Sequence, residues 1–270
     1  MKYLPIALFF LLFISVKLAH SQTPTPEEFN FQRAYADYIY NFDIYRKANL
    51  DYELYRSQYL QFKTLKSQEN AYNATLALLK ARDASLETYL TAIRKKLDET
   101  QGADGAKKEI LFAKIDQEVA WHIEHNKSLP SAGTLEDLVG DSNKAKSRFE
   151  TDTPLFYETL IAISGGKVIH VRDRQETILT SLKDKIAEIR VSGDKNTQIL
   201  ERWILDTEGK IARSKEKEQE AYARIARGGG GTISASSYNE ALFRLKESYQ
   251  YLKEANSYLS EIINEIKFED

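Results

Sequence analysis

The 270-residue chain has no cysteine, one methionine, two tryptophans, five prolines and twelve glycines. Without cysteine there can be no disulfide framework, no thiolate metal site, no iron–sulfur ligation and no cysteine nucleophile. Few glycines and prolines argue against an all-β sandwich or barrel, which needs a turn every few residues. No charge of one sign dominates: 38 basic and 40 acidic residues leave a net charge of −2. That balance gives no reason to expect nucleic acid or another polyanion as a partner.

One long hydrophobic run is present, over residues 4–16, preceded by Lys2. It is shorter than the roughly 20 residues needed to span a bilayer core but fits the apolar stretch of a secretory signal. Ala19-His20-Ser21 places small residues at −3 and −1, so residues 1–21 are expected to be removed and Gln22 to become the new amino terminus. The rival is an uncleaved membrane anchor. Export makes the missing cysteines informative, because the domain must then hold together by apolar burial alone. Secreted small eukaryotic domains usually carry disulfides, so a bacterial envelope is favoured.

Helical periodicity then runs almost to the end. Gln22-Thr-Pro-Thr-Pro26 reads as an extended leader over residues 22–26, since each X-Pro step disfavours α geometry. A first helix is expected over about 26–65, with Phe31, Tyr35, Tyr38, Phe42, Tyr45, Asn49 and Tyr52 in alternating steps of four and three. Ile39, Ile44, Leu50, Leu54 and Leu60 fall off that seam, which predicts a second buried face. A second helix is expected from Ser67 as N-cap to Thr100, on a seam that includes Leu79, Asp83, Leu90 and Leu97. A third follows over about 106–127. A fourth is expected from Thr134, restarting at Thr153-Pro154 and stopping at Gly165-Gly166. Val168, Val171, Gln175, Ile178, Leu182, Ile186 and Ile189 define a fifth, and a sixth covers about 194–227. The glycine run at 228–231 opens a Gly/Ser-rich hinge over 228–237. The last helix carries a faultless seam of Tyr238, Leu242, Leu245, Tyr249, Leu252, Asn256, Leu259, Ile263 and Ile266. The fold class is all-α, an elongated antiparallel helical bundle or coiled coil of about seven helices. Residues 27–227 form the bundle, and 238–270 form a C-terminal coiled-coil helix packing on it.

Few residues offer chemistry. Glu118, His122 and His125 share one helical face and could give a metal three ligands. His122 also continues the apolar stripe of Phe112, Ile115 and Val119, as a core histidine would. Asn49, Asp83 and Asn256 stand alone in apolar seams, which points to control of helix register or to a solvated seam edge. The sixteen tyrosines fit a thick core with phenols at its wet rim. Alternatively they form an aromatic binding surface, for which Tyr40 is the place to look. Gly165-Gly-Lys167 lacks the remaining residues of a phosphate loop, and no Gly-x-Ser-x-Gly occurs. The mixed-sign run 213–220 reads as a solvated helix.

With the leader at 22–26, the tyrosine seam from Tyr35 to Tyr59, and the segment Tyr59-Leu-Gln-Phe-Lys-Thr-Leu-Lys-Ser67, the chain resembles a group of uncharacterised proteins. These are the exported, cysteine-free, coiled-coil helical proteins of ultra-small candidate-phylum bacteria. The resemblance covers mainly residues 1–100. It implies an extracytoplasmic helical fold and supplies no activity.

The expectation is a non-enzymatic, cofactor-free structural or interaction protein of the cell envelope. Its partners would be other proteins or further copies of itself, met through helical seams. Membrane contact would be limited to an uncleaved amino-terminal segment. The alternative is an extracytoplasmic ligand- or metal-binding helical module. Amino-terminal sequencing of protein recovered from outside the cytoplasm is expected to begin at Gln22. An intact Met1 on cytoplasmic protein would refute export.

Overall fold

The computed structural model describes residues 29–193, 196–226 and 233–267. The signal segment, the leader and the glycine run lie outside them. Six α-helices account for nearly all of the described chain: α1 (Phe31–Phe62), α2 (Leu65–Asp98), α3 (Gly105–Ser128), α4 (Leu135–Ser192), α5 (Gln198–Ala226) and α6 (Ala235–Lys267). A short 3-10 turn, Leu129–Ser131, joins α3 to α4. The all-α expectation holds, with one helix fewer than expected.

Local chemistry sets the ends. The Asn30 side chain accepts the Arg33 N–H and starts α1, and Lys63, at φ 48°, turns the chain out of it. Thr64 rather than Ser67 caps α2, with its hydroxyl accepting the Ser67 N–H. Two residues therefore suffice to fold α1 back along α2. α4 opens with a reciprocal capping box in which Thr134 and Asp137 satisfy each other's backbone N–H groups.

Two cores result. In the amino-terminal core, Leu97 packs with Leu111 and Ile163, Leu90 with Ile115 and Phe156, and Leu79 with Leu129 and Leu138. These layers run α3 antiparallel to α2 and the first half of α4 parallel to it. α1 packs along α2 from the far side. Phe31 and Ala34 are buried against Ala92, and rings from Phe31 to Tyr45 follow at centroid spacings of 5.6 to 6.1 Å. The expected second buried face of α1 is absent among the described residues, where α2 is its main packing partner. Ile39, Ile44, Leu50, Leu54 and Leu60 are all exposed.

The second core is a three-helix coiled coil of the second half of α4 with α5 and α6, built on Leu179, Ile186, Leu200, Ile204, Leu252 and Leu259. On α6 the buried line is Ala241, Leu245, Ser248, Leu252, Ala255, Leu259 and Ile262. It shares its leucines with the expected seam but exchanges Leu242, Tyr249 and Asn256 for small residues. Asn256 is exposed. Small residues let α5 and α6 approach closely enough for the buried Ser214 and Ser248 hydroxyls to meet at 2.8 Å. In the mixed-sign run 213–220, Ser214 and Glu218 are buried, and Glu218 pairs with Arg172 of α4. The rest of that run is exposed or half-buried, as a solvated helix requires.

The two expected breaks in α4 are absent, and the helix continues for 58 residues, a length of about 87 Å at 1.5 Å per residue. Pro154 removes one backbone N–H and costs about 3 kcal/mol in a helix interior. Its neighbours Leu155 and Phe156 are anchored in the amino-terminal core and hold the helix through it. Gly165 and Gly166 serve close approach instead of termination. A Cβ on Gly166 would fall 2.8 Å from the Ala103 backbone nitrogen, in the turn between α2 and α3, and one on Gly165 would collide with the Tyr222 hydroxyl of α5. Gly102 packs equally tightly from the other side, with φ +77°.

Replacing Gly166 by leucine is expected to lower stability by about 2–3 kcal/mol through overpacking against backbone. Gly140→Ala, which fills open space on the same helix, should raise it by roughly 0.5–1 kcal/mol. Chemical denaturation of both variants checks the contrast, and equal effects would contradict the close-approach role.

Candidate functional site: a buried acid–histidine centre

The most polar part of the interior lies where α2, α3 and the start of α4 meet. Asp83 faces α3 from within the apolar seam of α2 and is fully buried. His122 and His125, three residues apart and so on one face of α3, converge on it. Nδ1 of His122 lies 3.2 Å from one carboxylate oxygen, and Nδ1 of His125 lies 2.6 Å from the other. Each oxygen thus receives one imidazole N–H, and the carboxylate ties together two turns of α3. Trp121 lies flat on His125, with ring centroids 4.7 Å apart, and meets His122 edge-on at 4.9 Å.

A second polar cluster abuts the first. Arg148 of α4 grips Glu118 in a bidentate pair, with Nε 2.7 Å from one carboxylate oxygen. The same Nε lies 3.2 Å from Asp152. The Arg148 guanidinium also sits over Trp121 at 5.6 Å, so the indole is shared between the two clusters.

Burial and proximity set the proton affinities. Burial alone would push the Asp83 carboxyl up, but the hydrogen bonds from His122 and His125 outweigh it and hold the group below the usual carboxylate range. Glu118 behaves likewise, with burial opposed and outweighed by the bonds from Arg148. Asp152 goes the other way. Burial, reinforced by the adjacent Glu118 carboxylate, raises it to about 7. Near neutral pH the two carboxyls therefore share a proton under one guanidinium.

The expected trio of Glu118, His122 and His125 is thus divided. The two histidines turn to Asp83, and Glu118 turns to Arg148. Nε2 of His125 is buried without a hydrogen-bond partner among the described residues. Among those residues no three His, Asp or Glu side chains are arranged to hold a metal ion. The expected register role of the lone seam polar residues separates as well. Asp83 locks α2 to α3, whereas Asn49 bonds Glu53 of its own helix at 3.0 Å at an exposed edge. Tyr40 is 68% exposed, outside the aromatic ladder. Trp121, Arg148 and Asp152 escape sequence reasoning. The available signal is an acid in one apolar seam facing two histidines at i, i+3 in the next.

Chemically this centre is a clamp. Both oxygens of the fully buried Asp83 carboxylate are taken up by the two imidazoles, and Glu118 is taken up by Arg148. No family model matches the chain, and neither a curated protein nor a solved structure matches it significantly. No helix among the described residues is long and apolar enough to cross a membrane.

The two acids give opposite pH limbs. Asp83, depressed in the fold, adds stability that is present above its unfolded value of about 3.9 and is lost as pH falls through its lower folded value. Asp152, raised in the fold, binds its proton more tightly when folded. Stability therefore declines as pH climbs from about 4 to about 7. Thermal unfolding from pH 3 to 8 is expected to show both limbs. Asp152→Asn should flatten the upper limb. Asp83→Asn should remove the lower limb and cost about 2–3 kcal/mol at pH 5. An unchanged upper limb in Asp152→Asn would refute the shared proton.

Proposed function

We propose that the chain is an exported, non-enzymatic spacer and interaction protein of the cell envelope, acting by geometry. The observation that carries this reading is α4, one 58-residue helix common to both cores. A helix that passes from one packed core to the next without a linker keeps the two ends of the molecule at a set distance and orientation. The polar centre at Asp83 supports the reading because its groups are spent on joining helices.

The reading also draws on the amino-terminal signal features and on the large apolar side chains exposed along α1, which a protein acting alone in water has no use for.

Small-angle scattering of the purified protein tests it. A compact chain of this size has a radius of gyration of about 18 Å. A rod as long as α4 has one of at least about 25 Å. A value near the lower figure would overturn the spacer role.

A further inference from the structure

α1 packs on α2 along one side and turns its other side to solvent. That outer side carries Ile39, Tyr40, Leu50, Leu54 and Leu60, with Leu50 66% exposed. The charged residues of this stretch run, in chain order, Asp37, Asp43, Arg46, Lys47, Asp51, Glu53, Arg56, Lys63; Asp37 is half-buried, and Lys47 and Asp51 also border the groove toward α2. In signs this is two acids, two bases, two acids, two bases, with no other charge between Asp37 and Lys63.

Reversing that order exchanges every sign. A second α1 laid antiparallel, with Leu50 opposite Leu50, brings Arg46 of each copy toward Glu53 of the other, whereas a parallel partner in register meets like charges throughout. The apolar residues obey the same symmetry. Ile39 and Leu60 lie on one flank of the helix, eleven and ten residues from the centre, and Arg46 and Glu53 lie on the same flank, four and three residues from it, so each pair meets across the interface. Along the middle, Tyr40 faces Gln61, Asp43 faces Ser57, and the aliphatic stem of Lys47 lies beside Leu54. A face that is complementary to its own reversed copy is the requirement for a two-fold, isologous contact. Its antiparallel orientation follows from the placement of Arg46 and Glu53 on one flank, on opposite sides of Leu50 along the helix.

We infer that the outer face of α1 is the contact surface for a second copy of this chain, forming an antiparallel homodimer with its two-fold axis at Leu50. The inference gives a partner to the interaction role proposed above and rests on that reading only for its biological purpose. Through this face the two molecules lie antiparallel about the two-fold axis, and the two α4–α5–α6 coiled coils point away from each other.

The absence of native cysteine makes the test clean. Under mild oxidation Leu50→Cys is expected to form a disulfide-linked dimer. Ile39→Cys alone should stay uncrosslinked, and an equimolar mixture of Ile39→Cys and Leu60→Cys should give the mixed dimer. In light scattering, Arg46→Glu should weaken self-association by at least about tenfold by placing like charges across the contact. Adding Glu53→Arg to it should restore the dimer. A wild-type chain that stays monomeric over a micromolar dilution series would overturn the inference, as would self-crosslinking of Ile39→Cys or failure of the double variant to recover. Scattering on the Arg46→Glu monomer separates this result from the spacer reading. An extended monomer leaves that role standing whether or not the wild type dimerises, and a compact one removes it independently of the dimer.

Discussion

Two adjacent glycines hold the molecule's two halves together. At Gly166 the turn between α2 and α3 comes down onto α4, and at Gly165 the Tyr222 hydroxyl closes on it from α5. The pair faces two different cores from consecutive positions on one helix. Neither approach leaves room for a Cβ. The amino-terminal core stands on the first half of α4 and the three-helix coiled coil on the second half, so their separation is set by how closely both can seat at this point. Tyr238 extends the joint, since it stacks on Tyr157 at 4.6 Å and packs both against the amino-terminal core and against Ile161, Ala221, Ala241 and Leu245, where α4, α5 and α6 meet.

The polar interior serves that architecture at some cost in stability. An uncompensated buried carboxylate is expensive, and a buried ion pair often contributes less than an apolar substitute would. Asp83 is tolerated because both its oxygens are bonded. What the arrangement adds is uniqueness: sliding α3 along α2 by one turn would draw His122 or His125 away from Asp83 and leave a carboxylate oxygen buried without its partner. Apolar seams of leucine and isoleucine tolerate such slips, so a single satisfied acid discriminates between registers that hydrophobic burial scarcely separates.

The helices themselves were legible in the chain because amphipathic periodicity survives packing. Leu245, Leu252 and Leu259 were legible as buried positions. The alternate positions were not, because a seam that admits close neighbours is made of alanine and serine, residues that carry little hydrophobic signal. Gly165-Gly166 and Pro154 misled for a related reason. Local propensity marks them as helix ends, whereas the surrounding packing decides otherwise. The same limit applies to the buried centre. Asp83, His122 and His125 each stood out, yet their union depends on α2 and α3 lying antiparallel in one register. The share of Arg148 and Asp152 depends further on which stretch of α4 passes Trp121.

The continuity of α4 has an angular consequence. Each residue of an α-helix advances the chain by about 100° around its axis as well as about 1.5 Å along it, so the number of residues between Phe156 and Leu179 sets the azimuth of one core relative to the other. Losing a single residue there would swing the coiled coil roughly a quarter turn about the shaft. Losing seven would return it to within about 20° and only shorten the reach. The protein's handedness in space is in this sense counted out in its sequence, with the shared helix acting as a goniometer of fixed setting.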